Sequence, residues 1–368
     1  MKTDLVIVGA SFAGLACARA ATKAGHRVIV LEKKSSAGQK LHTTGIVVKD
    51  AVDSINWLGE VPSALVRRIE GVRLYAPNMR YVDLFAPGYY FWATDTVALL
   101  DWMVQSVQKA GAEVRLGRSF VNAERHANGW RIFLGNGECI EAAYLVGADG
   151  PHSTVARVLG LSRNEHFLFG VEHEYQQARM EENLLHCFID RQLAPGYIGW
   201  ALAGVGIQQV GLARRLPSAN AQPGSRQVPI HAFLEKISGV VEGLSQPVAV
   251  RAGMIPCGGL LRHVSCPGAL LVGDAAGMVS PVTAGGIHTA LRHGEQAGYA
   301  IADFLGGQKP DPAQWLVQQY PQFRSKRALR WLFDRFQNDW VFNQLLRTAA
   351  MRRAAELIYF HRKGGVKL

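Results

Sequence analysis

The chain has 368 residues, 48% of them hydrophobic and 19% charged, and its formal net charge is +11 at pH 7. This composition is typical of a globular protein with ample chain for a buried core, and it excludes a disordered or low-complexity protein. No apolar stretch reaches the roughly 20 residues of a membrane-spanning helix, so we do not expect an integral membrane protein.

The chain opens with a pattern typical of a strand–turn–helix–strand unit. Residues 5–8 and 28–31 are continuously apolar, as strands of a parallel sheet buried on both faces should be. The turn after the first strand, residues 9–14, reads GASFAG and has the form G-x-S-x-x-G, a variant of the dinucleotide motif G-x-G-x-x-G. Its place between two buried strands predicts a dinucleotide site.

The residues of this turn have separate predicted roles. Gly9 supplies the tight turn, and Gly14 allows close contact between helix and strand. Ser11, Phe12 and Ala13 stand at the start of the helix, where free N–H groups and the positive end of the helix dipole suit a diphosphate.

An acidic residue ends the second buried strand. Glu32 lies 18 residues after Gly14 and is followed by Lys33. An acidic side chain near this position binds ribose hydroxyls and argues against a 2′-phosphate. We therefore expect Glu32 and Lys33 to contact the cofactor.

The middle of the chain combines one helix with many short strands. Residues 95–111 have the periodicity of an amphipathic helix, and the Asn-Gly pair at 136–137 is a hairpin signal. From residue 167 to 213, short alternating segments predict an antiparallel sheet with one solvated face.

Two further segments share one design. Residues 144–160 and 270–287 each contain a buried strand that ends at an aspartate, Asp149 and Asp274, followed by small residues. Ligands of open α/β sheets bind at the carboxyl ends of strands, so both aspartates are candidate binding residues.

These segments, in this order, resemble the FAD-dependent oxidoreductases of the aromatic-hydroxylase-like group, and among them the geranylgeranyl reductase-like branch most closely. The resemblance covers about 310 residues from the N-terminus. It implies a Rossmann-like α/β fold, α+β overall, in which an antiparallel-sheet substrate domain is inserted and a helical region follows. It also implies FAD as cofactor, reduced by NAD(P)H or by a reduced electron carrier.

The resemblance also implies roles for the residues of the two aspartate segments. Asp149 helps to build the FAD site, and Asp274, preceded by Gly273, accepts hydrogen bonds from FAD hydroxyls. Beside the flavin ring of FAD, Pro281 holds the loop, and Gly285 and Gly286 let the backbone approach the ring. The next helix starts at Ile287. The dipole of that helix favours the negative charge of a reduced flavin.

A loop over residues 38–52 falls where relatives place a segment along the flavin. Several geranylgeranyl reductases have a cysteine there, whereas this chain has His42, Thr43, Thr44 and Gly45. Thr44 and Gly45 are therefore candidate flavin contacts. His42 and Thr44 are weak candidates for a catalytic role, with packing or solvation as the alternative for His42.

Three aromatic residues are candidate substrate contacts. Tyr197 and Trp200 loosely match the Y-x-W part of a geranylgeranyl reductase signature, and Trp92 belongs to an aromatic-rich segment. In a regular strand Tyr197 and Trp200 point to opposite faces, so only a bulge or twist would bring both to one cavity. Ordinary sheet packing is the alternative.

The C-terminal region is basic and helical in pattern. From residue 311 onward it carries eleven Lys or Arg residues against four acidic residues. This region either lies on an anionic surface such as a membrane or presents a solvated face. No nucleic-acid partner is predicted.

The organisation predicted from these patterns has three parts. The FAD-binding domain is discontinuous, the substrate domain is inserted into it, and the basic helices follow. The boundaries are 1–50, 93–160 and 250–308 for the first part, 51–92 and 161–249 for the second, and 309–368 for the third.

Three functions remain open at this stage. The first is reduction of C=C bonds in a hydrophobic substrate by hydride transfer from flavin N5, and the second is oxygenation or halogenation of an aromatic or peptidyl substrate through a C4a-oxygen adduct. The third is a flavoprotein maturation factor that acts on a protein partner. The five scattered cysteines predict no disulfide framework or metal site, and they fit a cytoplasmic protein that is either free or peripheral at the inner membrane face.

Overall fold

A computed structural model describes residues 1–41, 43–127, 129–217 and 227–360. The elements of the first half are β1 (Lys2–Val8), α1 (Phe12–Lys23), β2 (Val28–Glu32), β3 (Ile46–Val48), α2 (Lys49–Ser54), β4 (Val66–Ile69), β5 (Gly71–Tyr75), β6 (Tyr81–Phe85), β7 (Phe91–Thr94), α3 (Thr96–Lys109), β8 (Glu113–Leu116), β9 (Phe120–His126), β10 (Gly129–Leu134), β11 (Cys139–Gly147) and α4 (Thr154–Val158). Those of the second half are β12 (Phe167–Tyr175), β13 (Leu184–Phe188), β14 (Gly199–Ala203), β15 (Gln208–Arg215), α5 (Ile230–Lys236), β16 (Ala249–Pro256), β17 (Ser265–Cys266), β18 (Ala269–Leu271), α6 (Ile287–Leu305), α7 (Pro312–Trp315), α8 (Arg324–Phe336), α9 (Asp339–Leu345) and α10 (Ala349–Phe360).

The first sheet is the predicted Rossmann-like core. Its strands follow the order β17-β18-β11-β1-β2-β8, and β10 and β9 extend from β11 as an antiparallel hairpin pair. The pairings of β1 with β2 and β11, of β2 with β8 and of β11 with β18 are all parallel. The central strands are buried on both faces, which explains their continuously apolar sequences. The carboxyl ends of β1, β2, β11 and β18 therefore meet at one edge.

A second sheet has seven strands in the order β16-β12-β15-β14-β13-β5-β6, and a small third sheet has the order β3-β7-β4. All pairings of the larger sheet are antiparallel except that of β5 with β13. The two classes of sheet confirm the predicted fold class of a Rossmann-like domain with an inserted, mainly antiparallel sheet.

Two strands pair with partners outside the domain to which the predicted boundaries assign them. All but the first residue of β16 lies within the segment assigned to the FAD-binding domain at 250–308, yet the strand pairs along its length with β12 in the seven-stranded sheet. Strand β3 lies within the segment 1–50, yet it pairs with β7. Strand pairing depends on partners far away in the chain, so local pattern does not fix these boundaries.

Helices α1 and α6 pack closely against each other. Gly294 and Gly298 of α6 face α1, and a Cβ atom at either position would collide with the backbone carbonyl oxygen of Ala13 or of Cys17. The absence of these two side chains lets the helix axes approach. Both helices start at the edge where the parallel strands end, so their N-termini are close to one site.

The C-terminal helices cover the seven-stranded sheet, and α8 among them buries a charged side chain and exposes an aromatic one. On α8, Arg330 is buried at 6% exposure, whereas Trp331 is 59% exposed. The Arg330 guanidinium donates to the Gly196 carbonyl and pairs with Asp334, and Gln337 Oε1 accepts from Gly196 N at 2.7 Å. The anchor of α8 is therefore polar, while apolar side chains face outward. In the parts of the chain that the structure describes, no helix is both long and apolar enough to cross a membrane.

Candidate functional site

A large cavity of about 1060 Å³ runs from the carboxyl edge of the parallel sheet to the C-terminal helices. Typical ligand pockets measure about 300–1,000 Å³, so this cavity is at the upper limit of the range and has room for a large ligand. Its lining comes from the turn after β1, the ends of β2 and β11, the loop before α6, the face of the seven-stranded sheet, and α8 and α10.

The predicted phosphate-binding turn lies at one end of this cavity. Gly9 has φ +108°, a conformation that favours glycine, and a Cβ atom on Gly14 would collide with the Gly9 carbonyl oxygen. Gly14 therefore supports the turn from behind and does not line the cavity, whereas Gly9, Ser11, Phe12 and Ala13 do.

Ser11 is the N-cap of α1. Its hydroxyl accepts a hydrogen bond from Gly14 N at 3.2 Å and donates one to the Ala148 carbonyl oxygen at 3.0 Å. The hydroxyl proton therefore has a partner within the protein. The first-turn N–H groups of the helix, which have no partner inside α1, remain the donors for a phosphate.

Glu32 closes the turn from the neighbouring strand. Its carboxylate accepts from Ala10 N at 2.9 Å and from Lys34 N at 3.0 Å, and the side chain is buried. Glu32 and the exposed Lys33 both line the cavity, next to the start of α1. This arrangement fixes a carboxylate where a sugar hydroxyl would meet it.

Asp149 is bound tightly by the backbone that follows it. Its carboxylate accepts from Ser153 Oγ at 2.6 Å, from Thr154 N at 2.6 Å and from Val155 N at 3.1 Å. Burial raises the pKa of this carboxyl, although these hydrogen bonds oppose the shift. Asp149 lines the cavity, but its oxygens mainly hold the start of α4 in place.

Asp274 differs from Asp149 because its carboxylate faces the cavity without a hydrogen bond from any residue that the structure describes. Its main-chain carbonyl accepts from Asn164 Nδ2 at 2.9 Å, which fixes the loop. Burial raises the pKa of the Asp274 carboxyl to about 6. A hydrogen bond from a ligand hydroxyl to a buried acceptor of this kind would favour binding of the ligand.

The loop before α6 forms the cavity wall beside Asp274. Gly273, Gly285, Gly286 and Ile287 line the cavity, and α6 starts at Ile287 as predicted. A Cβ atom on Gly286 would be 3.4 Å from Asp274 Oδ1, so a larger residue would crowd the carboxylate. Nineteen residues of α6 direct the positive end of the helix dipole at this wall.

Pro281 is buried behind the same loop and does not line the cavity. Its ring lies against Gly259, where a Cβ atom would be 3.5 Å from Pro281 Cγ. It therefore stiffens the loop from the side that faces the protein, and its place beside a flavin ring stays a prediction.

Tyr197 and Trp200 both line the cavity. Tyr197 precedes β14, so strand alternation does not separate it from Trp200 as the sequence suggested. The Tyr197 hydroxyl donates to the Thr283 carbonyl oxygen at 2.6 Å. It therefore connects the loop before β14 with the loop before α6.

Trp92, the third aromatic candidate, has a different environment. It is absent from the cavity wall among the described residues, and its ring stacks with that of Tyr90 at a centroid distance of 6.5 Å. Trp92 belongs to β7, the middle strand of the small three-stranded sheet, and packs against the core around the first sheet. His42 lies outside the described residues.

Thr44 and Gly45 line the cavity, and Thr44 is part of a buried polar cluster that the sequence did not assign. Thr44 Oγ1 donates to Glu172 Oε2 at 2.5 Å, and Trp200 Nε1 donates to the same oxygen at 2.8 Å. Arg251 pairs with Glu174 and donates to the Thr43 carbonyl oxygen at 3.0 Å.

The two glutamates of β12, Glu172 and Glu174, share one face of the strand, and Gln209 Nε2 reaches both carboxylates. Two acidic residues in a buried strand are themselves a signal of a polar site. Their partners on β15 and β16 were not visible in the local sequence.

These observations fit a dinucleotide cofactor with an attached ring system. The helix start after Gly9 offers donors that could bind a diphosphate, Glu32 is a carboxylate beside that start that could accept from a sugar hydroxyl, and Asp274 is an acceptor that no described residue occupies. Gly285 and Gly286 add a wall without side chains, where a flat group can contact the backbone.

Comparisons with known proteins agree with this geometry. A family model described as FAD binding domain matches residues 2–332. A digeranylgeranylglycerophospholipid reductase 2 from Methanopyrus kandleri is 29% identical over 342 residues, which cover 87% of this chain and 81% of the relative.

Solved structures show the same fold. A geranylgeranyl bacteriochlorophyll reductase-like protein from Thermoplasma acidophilum has a TM-score of 0.83 at 17% identity, covering 98% of this chain and 97% of that one. The anhydrotetracycline hydroxylase OxyS from Streptomyces rimosus has a TM-score of 0.69 at 19% identity, covering 98% of this chain and 76% of that one. At these identities the likeness concerns the fold.

Proposed function

This chain belongs to the FAD binding domain family and is an FAD-dependent oxidoreductase, and from that premise we propose that it reduces C=C bonds of a hydrophobic, prenyl-type substrate. The proposal concerns the substrate class and the direction of the reaction. The cofactor-binding residues named above are part of it.

One observation carries the proposal: the cavity continues beyond the FAD end into a long apolar part. Aliphatic and aromatic side chains of the seven-stranded sheet and of the C-terminal helices form this wall. They are Leu74, Leu185, Ile189, Ile198, Phe333, Phe342, Leu346 and Ile358. An apolar lining of this length suits a hydrocarbon chain better than a small polar substrate.

The residues of the chain position both ligands. FAD supplies hydride chemistry when bound. The starts of α1 and α6 bind its anionic groups, and Asp274 accepts from its hydroxyls. The loop at Gly285 and Gly286 lines the same cavity as Thr44 and Glu172, so a C=C bond bound in this cavity would share it with both the cofactor and a polar cluster.

The curated relative supports the same substrate class. The digeranylgeranylglycerophospholipid reductase from Methanopyrus kandleri aligns with 87% of this chain. The substrate in that protein's name carries prenyl chains, which the apolar part of the cavity would accommodate.

An anaerobic single-turnover experiment tests the proposal. Holoprotein is reduced with dithionite, freed of excess reductant and mixed with digeranylgeranylglycerophospholipid, and flavin absorbance and lipid mass are recorded. We expect the flavin to return to its oxidised spectrum while the lipid gains two hydrogen atoms per double bond reduced. Saturated phospholipid serves as the control.

Other outcomes would replace the proposal. If the lipid does not reoxidise the flavin in the absence of oxygen, and a transient C4a-adduct band forms on mixing with oxygen, the protein is a monooxygenase or a halogenase. Turnover that appears only after addition of a protein partner would indicate a maturation factor.

The electron donor is the second part of the proposal. We expect NAD(P)H or a reduced electron carrier protein to deliver electrons to the FAD. The rate at which the flavin absorbance bleaches anaerobically is measured with NADH, with NADPH and with a reduced ferredoxin. The reductant that gives the fastest rate is identified as the donor.

Peripheral contact with a lipid surface is the third part. The helix α8 lines the mouth of the cavity with Leu332 and Phe336, and the neighbouring Trp331 and Trp340 are 59% and 67% exposed. The C-terminal helices and the turn between the last two also carry exposed basic residues; they are Arg324, Arg327, Arg335, Arg347, Arg352 and Arg353. Aromatic residues beside cationic ones are typical of a surface that binds anionic lipids.

Vesicle sedimentation tests this contact. We expect the protein to bind phosphatidylglycerol vesicles and to bind phosphatidylcholine vesicles weakly. The double variant Trp331→Ser/Trp340→Ser should bind roughly tenfold more weakly, because two aromatic side chains lose about 1.4 kcal/mol of burial in the lipid. Tyr299→Ser removes an exposed aromatic residue of α6 and serves as the matched control. Equal binding of all three proteins would contradict a role of this face.

A further inference from the structure

The cavity contains a buried polar cluster within its mainly apolar wall. We call it the Glu172 cluster and define it as Thr44, Glu172, Trp200, Gln209 and Arg251. All of these except Gln209 line the cavity, and Glu172 is 4% exposed. A carboxyl group in such a position is unfavourable unless it has a use or sufficient partners.

The hydrogen bonds around Glu172 are uneven. Its Oε2 accepts two of them, from Thr44 Oγ1 at 2.5 Å and from Trp200 Nε1 at 2.8 Å. Its Oε1 accepts only a longer one, from Gln209 Nε2 at 3.2 Å. Negative charge is therefore stabilised best at Oε2, and Oε1 is the oxygen on which a proton is retained more easily.

The charges around Glu172 also favour a bound proton. The charged groups that face it are Glu174 on its own strand and Arg251 on β16; Trp200 of β14, Gln209 of β15 and Thr44 are neutral. Arg251 forms its ion pair with Glu174. Two buried carboxyl groups thus share one guanidinium, and an additional proton removes the unbalanced negative charge. Burial raises the pKa of Glu172 in the same direction.

We propose that Glu172 is the catalytic acid that delivers the proton in the proposed C=C reduction, with Thr44 and Trp200 as positioning residues that hold its carboxyl group. The inference rests on the proposed function. In the balanced step, one carbon of the double bond would receive a hydride with its electron pair, which the reduced cofactor would supply and be oxidised by two electrons. The other carbon would take the proton of Glu172, bound there by the π electron pair, and the O–H bond of the carboxyl group would break to leave a carboxylate.

The cluster then stabilises the product state. Loss of the proton leaves the carboxylate of Glu172, whose Oε2 already accepts from Thr44 and Trp200, close to the guanidinium of Arg251. Water that enters after product release returns the proton. Preorganised donors of this type need no rearrangement during the reaction.

The first test uses the protein without any turnover. Infrared difference spectra of apoprotein at neutral pH, wild type minus Glu172→Gln, should show the carbonyl stretch of a protonated carboxylic acid. Wild type minus Glu113→Gln, which removes a glutamate that pairs with Arg115 far from the cluster, should show no carboxylic acid band, which makes that variant the control. Absence of the carboxylic acid band from the first spectrum would overturn the inference, because an ionised Glu172 has no proton to give.

The second test measures anaerobic single turnover with digeranylgeranylglycerophospholipid. Glu172→Gln should lower the rate of flavin reoxidation by about 10²–10⁴-fold at an unchanged FAD dissociation constant. The wild-type rate should fall as pH rises through the pKa of the acid. Thr44→Val should move that fall to higher pH, because the ionised carboxylate loses a donor.

The two proposals fail in different ways. A wild-type protein that shows the carboxylic acid band but reduces no double bond would overturn the proposed reaction. Full turnover by Glu172→Gln, or a Thr44→Val pH profile equal to that of the wild type, would overturn the role of Glu172 and leave the reductase proposal intact. The FAD absorbance of both variants reports whether they fold.

Discussion

Asp274 is the residue whose charge state responds most directly to ligand binding. Its carboxylate faces the cavity without a donor from the described residues, and burial raises its pKa to about 6. In the unfolded chain the same group titrates near 3.8, so the folded apoprotein retains a proton that the unfolded chain loses. The contribution of Asp274 to the free energy of unfolding therefore decreases as pH rises from about 4 to about 6.

Ligand hydroxyls should reverse this effect. Donors from FAD stabilise the ionised carboxylate, so we expect the FAD dissociation constant to fall as pH rises through about 6. Fluorescence titration of apoprotein with FAD at pH 5 and pH 7 measures this change. Asp274→Asn, which does not titrate, should bind more weakly at pH 7 and lose the pH dependence assigned to this group. An unaltered pH dependence in the variant would exclude Asp274 as its source.

Tyr197 acts through a single hydroxyl. Removal of this group by Tyr197→Phe keeps the ring in the cavity wall but breaks the 2.6 Å hydrogen bond to the Thr283 carbonyl oxygen. The hydrogen bond holds the loop before α6 in place with a net free energy of about 1 kcal/mol. Its loss should therefore weaken FAD binding about fivefold. Isothermal titration with FAD provides the value. If the FAD affinity stays the same, this bond does not position the cofactor loop.

At the scale of elements, the close contact between α1 and α6 should be sensitive to any increase in side-chain size at its glycine positions. A methyl group at position 294 would collide with the Ala13 carbonyl oxygen, which belongs to the phosphate-binding turn of α1. We expect Gly294→Ala to lower the free energy of unfolding by about 1–3 kcal/mol, more than the helical preference for alanine restores. Thermal unfolding of the holoprotein measures the loss.

Gly59→Ala is the control for that prediction. Gly59 has no atom within 4 Å of the site where a Cβ would be placed, and its exposed position tolerates a methyl group. The melting temperature of this variant should equal that of the wild type. A similar decrease in both variants would show that the close helix contact is not the cause.

Much of the element order could be predicted because the signals are local. Parallel strands buried on both faces give continuous apolar runs such as residues 5–8, and the Gly-Gly pair before Ile287 marks the start of α6. The Glu172 cluster could not be predicted in this way, because Arg251 and Gln209 reach it from other strands. The position of Tyr197 depended on where β14 begins, a boundary that alternation alone does not fix.

At the scale of the whole molecule, Arg330 attaches the C-terminal helices to the rest of the protein. The amphipathic pattern predicted basic residues on the outside, but Arg330 points inward because its guanidinium meets the Gly196 carbonyl, which is distant in the sequence. Removal of the buried charge by Arg330→Leu leaves this carbonyl and Asp334 without their partner. The attachment of α8 should weaken as a result.

Limited proteolysis measures this attachment. We expect chymotrypsin to cut α8 of Arg330→Leu at least tenfold faster than α8 of the wild type, because the helix is rich in exposed aromatic residues. Arg335→Leu, a change at an exposed position of the same helix, should leave the cleavage rate close to that of the wild type. Equal rates for both variants would assign the stability of this region to apolar contacts alone.

The reversed polarity of α8 also determines how substrate would arrive. On the lipid surface proposed above, α8, anchored from inside by Arg330, would hold Trp331 and Phe336 against the bilayer, and the cavity mouth that α8 lines would open there. A lipid chain would then enter by lateral diffusion and would never cross bulk water. Turnover should accordingly follow the mole fraction of substrate in the bilayer, so that diluting the substrate with inert lipid slows the enzyme even when its total concentration is unchanged.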